Sequence, residues 1–353
     1  MPRLLLLFLA VLASCLAQPA VEVGEINGAA FRIDKPEAWN GVLVIYCHGY
    51  SDSVGKFDAA KPDRIAGILA TQGFAVAQSG YSAGGWAVAE AMQDTEALRR
   101  YFLRKHGTPK ETYITGHSMG GLLTAATLET YPNAYDGGLA MCGALGPAHW
   151  GLLRHYFEVR VVFDVYFPGA LPSPAGSTGG TAPLLKLLDE KPDAAAALRR
   201  YAGTQNNQQL AMFLAFNTKL LAELNKHAGG NPFDNRNTVY VDTGDDNMVN
   251  DKVARYTADP RAAAYVRRYF TTTGRLQAPL LAVHNTYDPI VPAWIPNQYQ
   301  VLTESAGTTN LFVQQYVKHD GHCNISPAET TRAFNELLDW KRNGKRPESG
   351  ELK

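Results

Sequence analysis

Six consecutive residues, Gly116-His117-Ser118-Met119-Gly120-Gly121, are the part of this 353-residue chain best suited to chemistry. A serine hydroxyl is a poor nucleophile at neutral pH. A sharp strand-to-helix turn with glycine two residues to either side exposes it for attack, and the helix that follows places positive partial charge beside the oxyanion that forms. Such a serine needs a histidine to take its proton and a carboxylate to hold that histidine in the right tautomer. Both occur downstream, Asp288 in Thr286-Tyr287-Asp288-Pro289-Ile290-Val291-Pro292 and His322 in His319-Asp320-Gly321-His322-Cys323. We assign Ser118 as nucleophile, His322 as base and Asp288 as the orienting acid of a two-step acyl transfer, a reaction that needs no cofactor.

Each assignment has a rival. His319 stands near His322, but Gly321 gives His322 the flexible turn a mobile base requires. Asp320 reads as a surface loop residue. Asp242, Asp245, Asp246 and Asp251 resemble a calcium loop without its spacing and read instead as turn and helix caps. His117 reads as a packed neighbour of the nucleophile and His48 as a residue that shapes its loop through hydrogen bonds. Tyr81 and Trp86 either line a pocket or pack. No H-x-x-x-H or H-E-x-x-H pair suggests a metal site.

The elements that must position these residues follow from the apolar pattern. Val42-Leu43-Val44-Ile45-Tyr46 is a continuous apolar run, as a strand buried on both faces requires, and it ends at His48-Gly49-Tyr50. A helix is expected over 62–72, then a strand over 74–77 running into a glycine-rich stretch over 79–85. A second helix is expected to start at Asp94, as its cap, and to end near Gly107. Thr112-Tyr113-Ile114-Thr115 is a short strand leading into Ser118, with a helix over 122–131 and a strand over 138–142. This alternation implies βαβ units and a mostly parallel sheet. It stops over about 146–277, where residues 167–183 are rich in Pro, Gly, Ser and Thr and helices are expected over 183–201 and 208–226. Leu210, Phe213, Leu214, Leu220, Leu221 and Leu224 lie at helical spacing, an apolar set that packs on the body or walls a substrate site. Strands resume over 280–284 and 311–316, followed by a last helix over 327–342. The expected organisation is a signal segment over 1–17, a core over 18–145, a largely helical lid over 146–277 and the rest of the core over 278–353.

Ser118, Asp288 and His322 in that chain order, with His48-Gly49 upstream, resemble the α/β-hydrolase superfamily over essentially the whole mature chain. The Gly-His-Ser-Met-Gly-Gly elbow and the long insertion after the strand at Cys142 are similar to bacterial lidded esterases, although the His-Gly-Gly-Gly run of some lipase groups is missing. The resemblance implies that the backbone amides of Tyr50 and Met119 form the oxyanion hole. It also implies a small-molecule ester as substrate. Esters rank ahead of amides because an alkoxide leaves without the nitrogen protonation that amide cleavage demands. A peptidase or amidase of the same fold, or a catalytically silent binding protein, is the alternative.

Bulk composition bounds the rest. With 46% hydrophobic and 19% charged residues the chain can bury a large core, and 33 basic against 33 acidic residues leave zero formal charge, which does not suit a nucleic-acid partner. Arg3 followed by the apolar residues 4–12 reads as an export signal, too short to span a bilayer. Cleavage before Gln18 would release a secreted or periplasmic protein, whereas Leu12-Ala13-Ser14-Cys15 resembles a lipobox that would anchor the chain to a membrane through Cys15. Of Cys47, Cys142 and Cys323, two could pair in an oxidising compartment, and which two stays open. Cys47 and Cys142, each ending an apolar run, read as small buried side chains.

Overall fold

The computed structural model describes residues 20–171 and 180–353; the signal segment, Cys15 and the middle of the Pro/Gly/Ser/Thr-rich stretch lie outside them. Nine strands form one sheet: β1 (Ala20–Ile26), β2 (Ala29–Lys35), β3 (Val42–Cys47), β4 (Ala75–Ser79), β5 (Glu111–His117), β6 (Gly137–Met141), β7 (Leu280–Tyr287), β8 (Phe312–Asp320) and β9 (Gly350–Glu351). Their spatial order is β1-β2-β4-β3-β5-β6-β7-β8-β9. β1 and β2 pair antiparallel, as do β2 and β4, and every later pair is parallel.

The apolar runs are continuous because both faces of the central strands are covered. Along β3, Leu43, Ile45 and Cys47 enter one core while Val42 and Val44 enter the other, the two-residue alternation of a pleated strand. β7 does the same, with Leu280 and Ala282 on one face and Leu281 and Val283 on the other. Helices α1 (Arg64–Ala70) and α11 (Pro327–Asn343) cover the second face, through Ala66, Leu69, Phe334 and Leu337. Helices α2 (Val88–His106) and α3 (Met119–Thr130) cover the first, through Leu98, Phe102, Leu122 and Leu123. This is the α/β-hydrolase architecture, with a mostly parallel sheet between helical layers.

Between β6 and β7 the chain forms α4 (Leu152–Tyr166), α5 (Thr181–Glu190), α6 (Pro192–Ala202), α7 (Asn207–Ala228), α8 (Asp246–Lys252) and α9 (Pro260–Phe270); α10 (Trp294–Ala306) lies between β7 and β8. The six apolar residues of α7 singled out above are all buried, so they pack. The single helix expected over 183–201 is two helices. Pro192 opens α6, and the residue before a proline is pushed out of helical geometry, as Lys191 is at φ −131° and ψ 73°.

A second expectation is corrected at Asp94. The helix begins six residues earlier, because buried Val88, Ala89 and Ala91 extend its packed face upstream. Asp94 lies inside it, and its carboxylate accepts from the amide of Ser82 at 2.7 Å and from the Ser82 hydroxyl at 2.8 Å. It therefore caps the glycine-rich loop rather than its own helix.

Candidate active site

Ser118 stands between the last residue of β5 and the first of α3, at φ 57° and ψ −118°. Such a backbone is costly for a residue with a side chain and persists only where its surroundings impose it. The two flanking glycines show how. A Cβ on Gly116 would fall well inside contact with the carbonyls of Gly120 and Cys47, and one on Gly120 would strike the carbonyls of Cys47 and His48. These are backbone atoms of β3, the loop after it and α3, and cannot swing aside. Gly120→Ala should therefore lower stability by about 1–3 kcal/mol, and by more if the elbow reorganises. Its denaturant midpoint checks this.

The sheet brings the three distant residues together. His322 Nδ1–H donates to Asp288 Oδ2 at 2.7 Å, which leaves the Nε2 lone pair facing the Ser118 hydroxyl at 2.8 Å. A carboxylate can only accept from Nδ1, so the contact selects the tautomer in which Nε2 is ready to take a proton. The Asp288 side chain is fully buried; its Oδ1 accepts from the amides of Ile290 and Val291, both at 2.9 Å. Those two bonds are the reason for the Pro289-containing turn after β7. His284 lies behind Asp288, donating from Nε2 to the Val291 carbonyl at 2.8 Å, and burial holds its pKa below the ordinary histidine value.

The rival residues stand elsewhere. His319 pairs with Glu329 at 2.9 Å. Asp320 is exposed. Asp245 caps α8 through the Met248 amide, and Asp246 accepts from Thr243, the capping role expected of them. Among the described residues no group of three or more His, Cys, Asp or Glu side chains is arranged to hold a metal ion.

His48-Gly49-Tyr50 lies against Ser118. A Cβ on Gly49 would sit 3.3 Å from Ser118 Cβ, and its absence lets this loop close over the serine. His48 Nδ1–H donates to the Gly49 carbonyl at 2.7 Å, and its ring stacks on Tyr81, centroids 4.0 Å apart. Tyr81 OH donates to the His48 carbonyl at 3.2 Å. Tyr81 and Trp86 are both buried, so they pack. Met119 begins α3, where the first amides have no intrahelical partner and point toward the serine's end of the helix.

Several residues that sequence reasoning missed tie the inserted helices to these loops. Tyr50 OH donates to the Glu223 carboxylate of α7 at 2.8 Å, and Lys219, one turn earlier, pairs with Asp52. On the other side, Tyr156 OH of α4 donates to the Ile290 carbonyl at 2.8 Å, and Tyr287 OH donates to Gln209 at 2.7 Å. One helical layer thus grips both the loop after β3 and the loop that carries Asp288. Burial raises the Glu223 carboxyl above its ordinary pKa. No sequence signal marks these pairs, since each joins residues far apart in the chain.

Of the two cysteines expected to be small buried side chains, Cys47 is one and Cys142 differs. Cys142 is not a free buried thiol but is bonded to Cys323, across 181 residues of sequence, with the two Cα atoms 5.2 Å apart. Cys47 is free and buried, and burial pushes its thiol up to about 12.

Two buried histidines are expected to make the fold acid-sensitive. Burial, with Arg64 and His322 adding to it, pushes His117 down to about 4, and burial alone does the same to His155 on α4. An unfolded chain would protonate both near 6.5 while the folded one refuses the protons. Their contribution is therefore complete above about pH 6.5 and lost as pH falls toward 4. Melting temperatures should drop by several degrees across that window, and His155→Phe should make the decline shallower.

The sequence model of the family described as serine aminopeptidase, S33, matches residues 40–316. No curated protein matches the chain. Among solved structures, feruloyl esterase B from Aspergillus oryzae superposes with a TM-score of 0.54 at 12% identity, over 90% of this chain and 78% of its own. An acylaminoacyl peptidase from Pyrococcus horikoshii superposes with a TM-score of 0.53 at 13% identity, over 93% of this chain but 42% of its own, so this chain spans about two fifths of that protein's length. An esterase from Pyrococcus furiosus gives 0.50 at 12% identity, over 91% of each chain. At such identities the likeness is one of fold. The family match covers most of the chain, from before β3 through Ser118 and Asp288 to partway along β8, and on that ground the chain belongs to the serine aminopeptidase (S33) family of α/β-hydrolase serine hydrolases.

Proposed function

We propose that the protein is an exported hydrolase of small carboxylic esters, acting through an acyl-enzyme on Ser118. The observation that carries this reading is the unbroken chain Ser118 Oγ to His322 Nε2 at 2.8 Å and His322 Nδ1 to Asp288 Oδ2 at 2.7 Å. In the proposed reaction His322 takes the hydroxyl proton as Ser118 attacks the carbonyl, and the imidazolium formed is stabilised by Asp288. The amides of Tyr50 and Met119 donate to the oxyanion, and His322 then passes the proton to the departing alkoxide. Water, deprotonated by the same histidine, releases the acid.

Esters are preferred on leaving-group chemistry. The family description and the acylaminoacyl peptidase neighbour favour amide or peptide cleavage as the second reading. Short p-nitrophenyl esters assayed against matched p-nitroanilides separate the two: the ester reading expects turnover of esters to exceed that of anilides by orders of magnitude. Comparable rates on an amino-acid anilide would overturn it. A silent binding protein would turn over neither.

Export is supported by the apolar residues 4–12 after Arg3 and by the Cys142–Cys323 disulfide, a bond that persists in oxidising compartments. The zero formal charge supports a small-molecule partner over a nucleic acid. Among the described residues no helix is long and apolar enough to cross a membrane; a membrane anchor in this reading is a lipid on Cys15. The mass of the amino-terminal peptide of the exported protein distinguishes a start at Gln18 from a lipidated Cys15.

A further inference from the structure

We infer that the Cys142–Cys323 disulfide is a positioning device that sets His322 against Ser118, an inference that rests on the proposed roles of those two residues. Both ends of the bond abut the reacting groups. Cys323 follows His322 in the chain, and its sulfur lies 3.5 Å from His322 Nε2. Cys142 follows Met141, whose carbonyl accepts the amide of Ser118 at 3.0 Å. A short path therefore runs from the nucleophile's backbone through one hydrogen bond, Met141 and the two disulfide-bonded cysteines to the base.

The other restraints on this loop lead elsewhere. The amide of Gly321 donates to the Tyr287 carbonyl at 3.0 Å, and Asn285 Nδ2 donates to the Asn324 carbonyl at 2.9 Å. Those bonds fasten the loop to β7, the strand of Asp288. They locate His322 relative to its acid. The disulfide fastens the same loop to the end of β6, which holds Ser118, and so fixes the other distance of the chain. Both cysteines have left-handed backbones, φ 45° at Cys142 and φ 56° at Cys323, which L residues adopt only where something holds them.

The sheet does not need the bond for its order. β6 pairs with β7 over four residue pairs from Gly138↔Leu280 to Met141↔Val283, and β7 pairs with β8 along its length. The Cys142 amide itself donates to the Val283 carbonyl at 2.8 Å. Reduction should accordingly free the loop and leave the fold. Cys47, buried beneath the elbow with its thiol pushed up to about 12, is not available to capture either sulfur once the bond opens.

The experiment reduces the full-length mature protein with tris(2-carboxyethyl)phosphine. Two electrons pass to the disulfide, two protons from water complete the thiols, and the phosphine leaves as its oxide. Fluorophosphonate labelling rate, kcat and KM on a p-nitrophenyl ester, far-ultraviolet circular dichroism, the His322 Nδ1–H proton resonance and the His322 Nε2 nitrogen-15 shift are read before reduction, after it, and after reoxidation. A displacement of about 1 Å in a reacting group costs on the order of 100-fold in rate. The expected result is a 10- to 100-fold fall in kcat and labelling, KM changed by less than about threefold, unchanged circular dichroism, a retained Nδ1–H resonance, an Nε2 nitrogen-15 shift moved away from that of the Ser118-bonded nitrogen, and recovery on reoxidation. The double variant Cys142→Ser with Cys323→Ser should match the reduced protein and ignore the reductant.

Reduced protein that keeps its fold, its Nε2 shift and its rate within twofold would overturn the inference. Unfolding on reduction would overturn it as well, by making the bond a staple of the whole fold. If oxidised wild type neither labels nor cleaves ester, the hydrolase reading fails by itself. The Nε2 shift, which reports the Ser118 bond without turnover, still decides the positioning role.

Discussion

Ser118→Ala is expected to lower kcat/KM on a p-nitrophenyl ester by at least about 10⁴-fold while leaving the melting temperature close to wild type. The size follows from how the reaction is divided. Removing the nucleophile forces water to attack directly, and only the contribution of oxyanion donors and binding survives. The side chain lost is a single hydroxyl whose partner, His322, is one-quarter exposed, so water can take the empty hydrogen-bonding position at Nε2. Stability should change little. The backbone strain at φ 57° stays, since alanine has the same Cβ. Steady-state kinetics on purified protein, with thermal melts beside them, measures both halves of the statement.

Asp288→Asn is expected to cost about 10⁴-fold in kcat with little change in KM, and for a different reason. Asparagine fits the same space and can keep the Oδ1 bonds to the Ile290 and Val291 amides. Its amide nitrogen would then face His322 Nδ1 and donate to it. The imidazole would answer by moving its proton to Nε2, where it meets the Ser118 hydroxyl with a donor instead of a lone pair. Geometry survives and the tautomer does not. The imidazole nitrogen-15 shifts of His322 tell this from simple loosening: the protonated nitrogen should be Nδ1 in wild type and Nε2 in the variant, and the maximal rate should stay low.

How much of this was legible in the sequence depends on whether the signal was local. The elbow was, because Gly116, Ser118 and Gly120 meet within a single turn and the strand and helix around them declare themselves by pattern. The buried strands were too, since their two-faced burial leaves uninterrupted apolar runs such as the one over 42–46. The β1–β2 hairpin was missed although its turn, Asn27-Gly28, is a strong hairpin pair with both residues at positive φ. β1 is largely exposed and buried β2 sets Arg32 and Asp34 among its apolar residues, so neither has an apolar run to announce it.

Asp94 misled because an aspartate before apolar residues at helical spacing is a good cap locally. What overrode it was the tertiary demand of Ser82 in the glycine-rich loop. The Cys142–Cys323 bond and the ties from Glu223 to Tyr50 and from Tyr156 to Ile290 could not be read at all. Each depends on where the inserted helices and the strand ends meet in space, and pairings of that kind leave no periodicity in the chain.

The most direct test of the central claim is covalent. Folded, oxidised wild-type protein treated with a fluorophosphonate should gain one adduct, and peptide mass analysis should place it on Ser118, with no adduct on Ser118→Ala and a strongly slowed reaction in His322→Ala. Wild type that stays unlabelled while fully folded, or a label that forms equally well without Ser118, would contradict the account.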